Sequence, residues 1–293
     1  MINSFLKYIE FEKRYSAHTV VSYRTDLDQF NVFLSTFDSS IAIESITYQH
    51  IRSWVISLVE DKISPSSINR KMASLRSYYK FLLRSGVISK DPTLQLRALR
   101  TPKRLPQFAQ VSEMQHLFES VEFGEDFEGI RDRLLIELLY ATGMRRAELI
   151  GLKITSINIS KKQIKVLGKR NKERVIPLTI EVVSLIQKYL QLRDSMDMQD
   201  ANDFLLLTNK SQPLYEAFVY RKVKKYLGAT TTLEKKSPHI LRHTFATHLL
   251  NNGAELNAVK ELLGHTSLAA TQVYTHNSLD KLKKVFEKAH PKA

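Results

Sequence analysis

Three basic side chains that could bind an anion follow one another on a single predicted helix. Pro238 suits the first turn of a helix, because its fixed φ is helical and its missing N–H has no partner there. His239, Arg242 and His243 then fall at i, i+3 and i+4, so they share one helix face. A guanidinium that is always charged, beside two imidazoles, suits a phosphate group. The spacing therefore predicts an anion site on this helix.

Two residues further along the chain could add a nucleophile to that site. His265 follows a Leu-Gly step, and Tyr274 comes nine residues later. A phenol near arginine and histidine side chains is a candidate nucleophile, because such cations bind phosphate and favour the phenolate. The alternative, on the residues alone, is that Tyr274 is a core aromatic.

The same histidines allow two other interpretations. His239 and His243 have the spacing of a zinc-binding HxxxH pair, but the metalloprotease form requires Glu after the first histidine, where Ile240 stands. A metal site is therefore disfavoured, and no cofactor is expected. His248, on the same helix, is expected to be a structural histidine with a hydrogen-bonded ring.

The composition indicates a protein that binds a polyanion. The 293 residues include 44 Lys and Arg against 30 Asp and Glu, a formal net charge of +14. This points to nucleic acid first and an anionic membrane second. The absence of cysteine excludes disulfides, thiol nucleophiles and cysteine-based zinc fingers. No apolar run could span a bilayer and no signal-peptide pattern is visible, so we expect a cytoplasmic protein without a membrane partner.

The first part of the chain is predicted to be a helical domain. Helical spacing of apolar residues begins near Phe5, and further helices are predicted at about 20–33, 47–61 and 65–84, with a short last one from Lys90. Residues 99–107 combine two prolines with three basic residues, which is typical of a linker. The predicted domain boundaries are therefore 1–98, a basic linker at 99–107, and 108–293.

Polar and basic side chains on several helices of this domain, and on a helix predicted at 214–227, suit a DNA backbone, although a solvated charged face is the alternative. The candidates for DNA contact are His18, Thr19, Arg24, Asn69, Arg70, Arg76, Lys80, Arg221 and Lys225.

From residue 108, strand patterns appear among the helices. Ser112 with Gln115 predicts a capping box, and an apolar helix over 127–141 ends at Gly143. Arg145 then lies at a helix N-terminus, where the backbone N–H groups favour an anion. Strands are predicted at 157–159, 163–166, 173–177 and 204–208, and helices at 179–193, 214–227 and 279–289. The last helix has an apolar stripe that would dock in cis or on a neighbouring protomer.

Five boxes, in this order, resemble the tyrosine site-specific recombinases. They are YATGMRRAELIGL (140–152), GKRNK (168–172), HILRH (239–243), LGH (263–265) and YTH (274–276). The resemblance implies six catalytic residues: Arg145, Lys169, His239, Arg242, His265 and Tyr274. It also implies that Glu148 holds an arginine in place. Within the family, the boxes look most like the Xer-type chromosome dimer resolution recombinases.

The resemblance implies a mainly α fold with a small β-sheet. An N-terminal helical core-binding (SAM-like) bundle would precede a C-terminal α+β catalytic domain. Tyr274 would form a 3′-phosphotyrosyl link to double-stranded DNA while Lys169 protonates the leaving 5′ oxygen, without metal or ATP. Homo- or hetero-tetramers would assemble on two DNA sites near the nucleoid, with a DNA translocase as a candidate activator.

Three other functions use the same residues or the same fold. They are a mobile-element integrase or excisionase, a type IB topoisomerase-like enzyme, and a DNA-binding protein without catalysis.

Overall fold

The computed structural model of this chain describes residues 1–37, 41–102, 107–168, 172–195, 203–264, 285–286 and 288–291. The chain divides into two compact units, with the boundary between Arg104 and Leu105. The predicted linker, 99–107, includes this position, and its role as a linker stays a prediction. Within the described ranges, the helices are all too short or too polar to cross a membrane.

The first unit is a bundle of helices. They are α1 (Ile2–Lys7), which continues as a π-helical segment (Tyr8–Glu12), α2 (Ala17–Leu34), α3 (Tyr48–Glu60) and α4 (Pro65–Arg84). Ser16 caps α2 and Ser64 caps α4, since each side chain accepts a hydrogen bond from the backbone N–H three residues later. Phe30 and Trp54 meet in the core with ring centroids 5.0 Å apart.

The prediction of a short helix that begins near Lys90 is wrong, because residues 92–95 form turns. The Asp91 carboxylate accepts hydrogen bonds from the backbone N–H and the hydroxyl of Thr93. A side chain that binds the local backbone in this way competes with helix formation.

The second unit combines helices with a small sheet. Its elements are α5 (Val111–Glu119), α6 (Phe127–Thr142), α7 (Arg146–Ile150), β1 (Ile157–Asn158), β2 (Gln163–Leu167), β3 (Glu173–Pro177), α8 (Ile180–Ser195), α9 (Glu216–Thr230), α10 (Pro238–Asn251) and α11 (Leu256–Leu263). The strands form an antiparallel sheet in the order β1-β2-β3, with Ile164 opposite Ile176. Helix α6 is buried along nearly its whole length and packs against α8 and α10. The predicted fold class is confirmed.

Two local predictions in this unit are wrong. Gln110 and Glu113 form the capping box of α5 rather than Ser112 and Gln115, since Glu113 Oε2 accepts the Gln110 N–H at 2.7 Å. The predicted strand at 204–208 contributes isolated bridges rather than a strand of the sheet.

The predicted terminal helix, 279–289, lies largely outside the described residues. Among those described, Phe286 and Ala289 are buried in the core of the second unit. The Asn252 side-chain amide donates to Ala289 O at 2.8 Å. These residues therefore pack in cis in this structure.

Candidate active site

Arg145 lies in the turn between α6 and α7, and this turn depends on a glycine. Gly143 ends α6 in the left-handed region (φ +58), and a Cβ added there would lie 2.3 Å from Phe245 Cδ1. Only glycine meets both conditions without strain. Arg145 is the residue that precedes α7, and its side chain is 35% exposed, so its guanidinium is partly open to a ligand.

Arg242 reaches the same turn from α10. Its Nη1 donates to Gly143 O at 2.6 Å, and its Nη2 donates to Leu263 O at 2.7 Å. Burial, and then the neighbouring charge of Arg145, lower the pKa of Arg242 to about 10, which still leaves it cationic at neutral pH. The structure therefore brings together the two arginines that were predicted to be catalytic, although 97 positions separate them in the chain.

Glu148 is the acidic centre of this group. Its Oε1 accepts from Arg145 Nη1 at 2.8 Å, and its Oε2 accepts from the Arg145 backbone N–H at 2.7 Å. Arg174 donates to both carboxylate oxygens, at 3.0 and 2.7 Å. Burial acts to raise the pKa of Glu148, but the hydrogen bonds from Arg174 and Arg145 outweigh it and lower the pKa. The carboxylate thus stays ionised and offsets part of the local positive charge.

The predictions from sequence missed Arg174 as part of this group. Its side chain is 4% exposed, and it shares the buried face of β3 with Ile176. Alternation along the strand could have revealed it, because a charged side chain on the core side of a sheet requires a buried partner.

Three of the six predicted catalytic residues, Lys169, His265 and Tyr274, lie outside the described residues. Gly168, which precedes Lys169, donates its N–H to Lys172 O at 2.7 Å and so closes the base of the β2–β3 hairpin. A Cβ added to Gly168 would lie 3.6 Å from Glu148 Oε1. The loop of the hairpin therefore starts beside the group formed by Arg145, Arg174, Arg242 and Glu148, here called the arginine cluster.

The end of α11 lies against the same cluster. Gly264 caps α11 in the left-handed region (φ +66), and a Cβ added there would lie 3.1 Å from Arg174 Nη1. The two preceding carbonyls, of Leu262 and Leu263, accept from Arg174 and Arg242. The chain continues from this point into His265.

The histidines of α10 differ in their surroundings. His239 is exposed, one turn before Arg242. His248 is buried, with Nε2 2.9 Å from Ala109 O and Nδ1 2.9 Å from the Tyr140 hydroxyl. Burial lowers the pKa of His248, so the ring is neutral at pH 7. The prediction that His248 is structural is confirmed.

The residues predicted to contact DNA differ in how free their side chains are. Asn69 exchanges two hydrogen bonds with the backbone of Leu99, at 2.9 and 2.8 Å, and Arg76 donates to Leu96 O at 2.5 Å. Thr19 belongs to the cap of α2. The exposed members are His18, Arg24, Arg70, Lys80, Arg221 and Lys225. Of these, Arg70 pairs with the Asp26 carboxylate and Arg221 donates to the Tyr215 hydroxyl. DNA contact by all nine stays a prediction.

Comparison with known proteins identifies the class of enzyme. The family described as "Phage integrase family" matches residues 107–280, and "Phage integrase, N-terminal SAM-like domain" matches residues 2–86. The chain therefore belongs to the phage integrase family.

Two relatives illustrate how far the similarity extends. Tyrosine recombinase XerC of Pelobacter propionicus is 39% identical over 293 residues, which cover 100% of this chain and 95% of the relative. Tyrosine recombinase XerD of Staphylococcus haemolyticus is 37% identical over 296 residues, covering 100% and 99%. The chain is thus a tyrosine recombinase that is similar to those of the Xer type.

A solved structure supports the fold. XerH site-specific recombinase bound to palindromic difH substrate matches with a TM-score of 0.72 and 23% identity, over 97% of this chain and 83% of that one.

Proposed function

We propose that this recombinase cuts and rejoins DNA strands at a specific site through a 3′-phosphotyrosyl intermediate, and that it resolves chromosome dimers at cell division. The observation that carries the proposal is the convergence of Arg145 and Arg242 on one turn, where Glu148 holds the Arg145 side chain. Two guanidinium groups at one place suit the non-bridging oxygens of a phosphodiester and the extra charge of its transition state.

The first chemical step exchanges one phosphate ester for another. The Tyr274 hydroxyl oxygen attacks phosphorus, and the bond from phosphorus to the 5′ oxygen breaks. Lys169 gives a proton to that oxygen, His239 assists proton movement at the tyrosine, and His265 donates a hydrogen bond to the phosphate. A free 5′-hydroxyl then attacks the phosphotyrosine and releases Tyr274. Each step breaks one phosphate ester bond and forms another, so the reaction needs no ATP.

The partners follow from the same proposal. Double-stranded DNA is the substrate, which fits the net charge of +14. Exchange between two duplexes requires four protomers, either of this chain or of this chain and a second recombinase. A DNA translocase is the proposed activator, and the nucleoid in the cytoplasm is the proposed location.

The relatives favour a chromosomal role over a mobile-element role, because those at 35–39% identity are named XerC or XerD. Both names occur at similar identity, so similarity does not choose between the two partners of such a system. Recombination of plasmids that carry the host's own chromosome-terminus site supports the proposed role. Activity only on the ends of a mobile element would favour the integrase alternative.

A nicked duplex tests the reaction class. When the nick lies just beyond the cleavage point, the released fragment diffuses away and the covalent protein–DNA adduct accumulates. We expect the adduct with the wild type in EDTA and none with Tyr274→Phe. Salt-sensitive binding without an adduct would overturn catalysis and leave a DNA-binding protein.

A further inference from the structure

The Arg174 side chain connects three elements of the second unit. It lies on β3, it donates through Nη1 and Nη2 to Glu148, and its Nε donates to Leu262 O at 2.8 Å at the end of α11. We infer that Arg174 is a positioning residue for strand cleavage, which sets Arg145 through Glu148 and fixes the end of α11. The inference rests on the proposed function, because cleavage is the reaction that it serves.

The residues that immediately precede two of the predicted catalytic residues lie against this guanidinium. Cβ atoms added at Gly168 and Gly264 would lie 3.4 and 3.1 Å from Arg174 Nη1. The chain runs from Gly168 into Lys169 and from Gly264 into His265. Arg174 therefore supports the backbone from which both residues depart, as well as the carboxylate that holds Arg145.

Arginine suits this position in a way that lysine does not. Three nitrogens of the Arg174 guanidinium donate in fixed directions to two different elements. A lysine ammonium carries the same charge, but its single nitrogen cannot match the planar, bidentate geometry towards Glu148 and also reach Leu262 O. The charge and the geometry can thus be separated by substitution.

The pKa of Glu148 can be used to test the role of Arg174, because this pKa depends on the cations around the carboxyl. Among the described residues, the cations that face it are Arg145 in the turn before α7, Arg174 on β3 and Arg242 on α10. Removal of Arg174 takes away two hydrogen bonds and one charge, whereas burial of the carboxyl remains. The Glu148 pKa therefore rises in Arg174→Met, and the carboxyl takes up a proton at a higher pH than in the wild type.

The test measures single-turnover cleavage of a nicked duplex, with protein at saturating concentration, from pH 9 to pH 5. We expect Arg174→Met to cleave about 100-fold more slowly, the size of effect that a misplacement of about 1 Å produces. The ratio of wild-type to variant rate should grow as the pH falls, because protonated Glu148 no longer holds Arg145. Adding Glu148→Gln to Arg174→Met should make that ratio independent of pH. Arg174→Lys should cleave at an intermediate rate with a constant ratio.

Arg193→Met is the matched control. Arg193 is also a buried arginine, and it donates to the carbonyls of Phe204 and Leu205. Its loss should lower stability by a similar amount but leave the cleavage rate within about threefold of the wild type, since neither of these two carbonyls belongs to the site. An Arg174→Met rate that falls no further than that of Arg193→Met, or a ratio that stays constant with pH, would overturn the inference.

A second readout separates this inference from the proposed function. The carbon-13 NMR signal of the Glu148 side-chain carboxyl, assigned by its loss in Glu148→Gln, reports the pKa without any cleavage. We expect a higher Glu148 pKa in Arg174→Met than in the wild type and no rise in Arg193→Met. A wild type that forms no adduct refutes the proposed function, whereas unchanged titration of Glu148 in Arg174→Met refutes the role of Arg174.

Discussion

Replacement of Gly143 by alanine tests the turn on which the arginine cluster is built. Two costs add at this position. Alanine in the left-handed region costs about 1–2 kcal/mol. The new Cβ would also lie 2.3 Å from Phe245 Cδ1 and 2.9 Å from Leu263 Cδ2, both on buried side chains. Overpacking of a buried site costs typically about 1–3 kcal/mol, so we expect Gly143→Ala to lose about 2–5 kcal/mol of stability.

Gly253 supplies a control within the same unit. It is also left-handed (φ +84), but a Cβ there meets nothing within 4 Å. Gly253→Ala should therefore lose only the backbone cost of about 1–2 kcal/mol. Urea unfolding followed by far-UV circular dichroism measures both variants against the wild type. If Gly143→Ala is no less stable than Gly253→Ala, the claim that packing against Phe245 and Leu263 shapes this turn is refuted.

Further predictions concern the first unit, the pH dependence and the DNA surface. Asp26→Asn should destabilise the protein by about 3 kcal/mol in urea unfolding, because the fully buried carboxylate pairs with two cations of α4. Stability should fall as the pH drops below about 6.5, the unfolded value for histidine, because the depressed pKa of His248 makes the unfolded chain bind the proton first. His248→Gln should reduce that slope between pH 7 and 5, and an unchanged slope would contradict the assignment. The affinity for DNA falls as salt rises, and Arg221→Gln should make the slope of log affinity against log salt less steep by about 1. Glu119→Gln should leave that slope unchanged.

Sequence patterns predicted most of the helices and the sheet, because the spacing of the apolar residues shows which side of each element is buried. Proline and serine at 64–65 predicted the start of α4, and Gly143 predicted the end of α6. Two predictions were wrong because side chains form hydrogen bonds with nearby backbone groups. Asp91 binds its own neighbours and replaces a helix with turns, and Glu113 moves the start of α5 by two residues.

The predicted site was recovered only in part. The resemblance pointed to Arg145, Arg242 and Glu148, and the structure brings these three together. Neither spacing nor resemblance identified Arg174, because this partner of Glu148 lies 26 residues further along the chain, on β3, and sequence does not show which distant residues meet. For the same reason, sequence did not reveal that Asn69 and Arg76 bind the backbone of their own unit.

Catalysis by this site requires that Arg145 and Arg242 hold the same phosphate. A crystal structure of Tyr274→Phe bound to an intact duplex cleavage site would show whether they do. We expect guanidinium nitrogens of both arginines at about 3 Å from non-bridging oxygens of a single phosphate. Contacts to different phosphates, or an Arg242 that leaves the Gly143 and Leu263 carbonyls without approaching DNA, would contradict it.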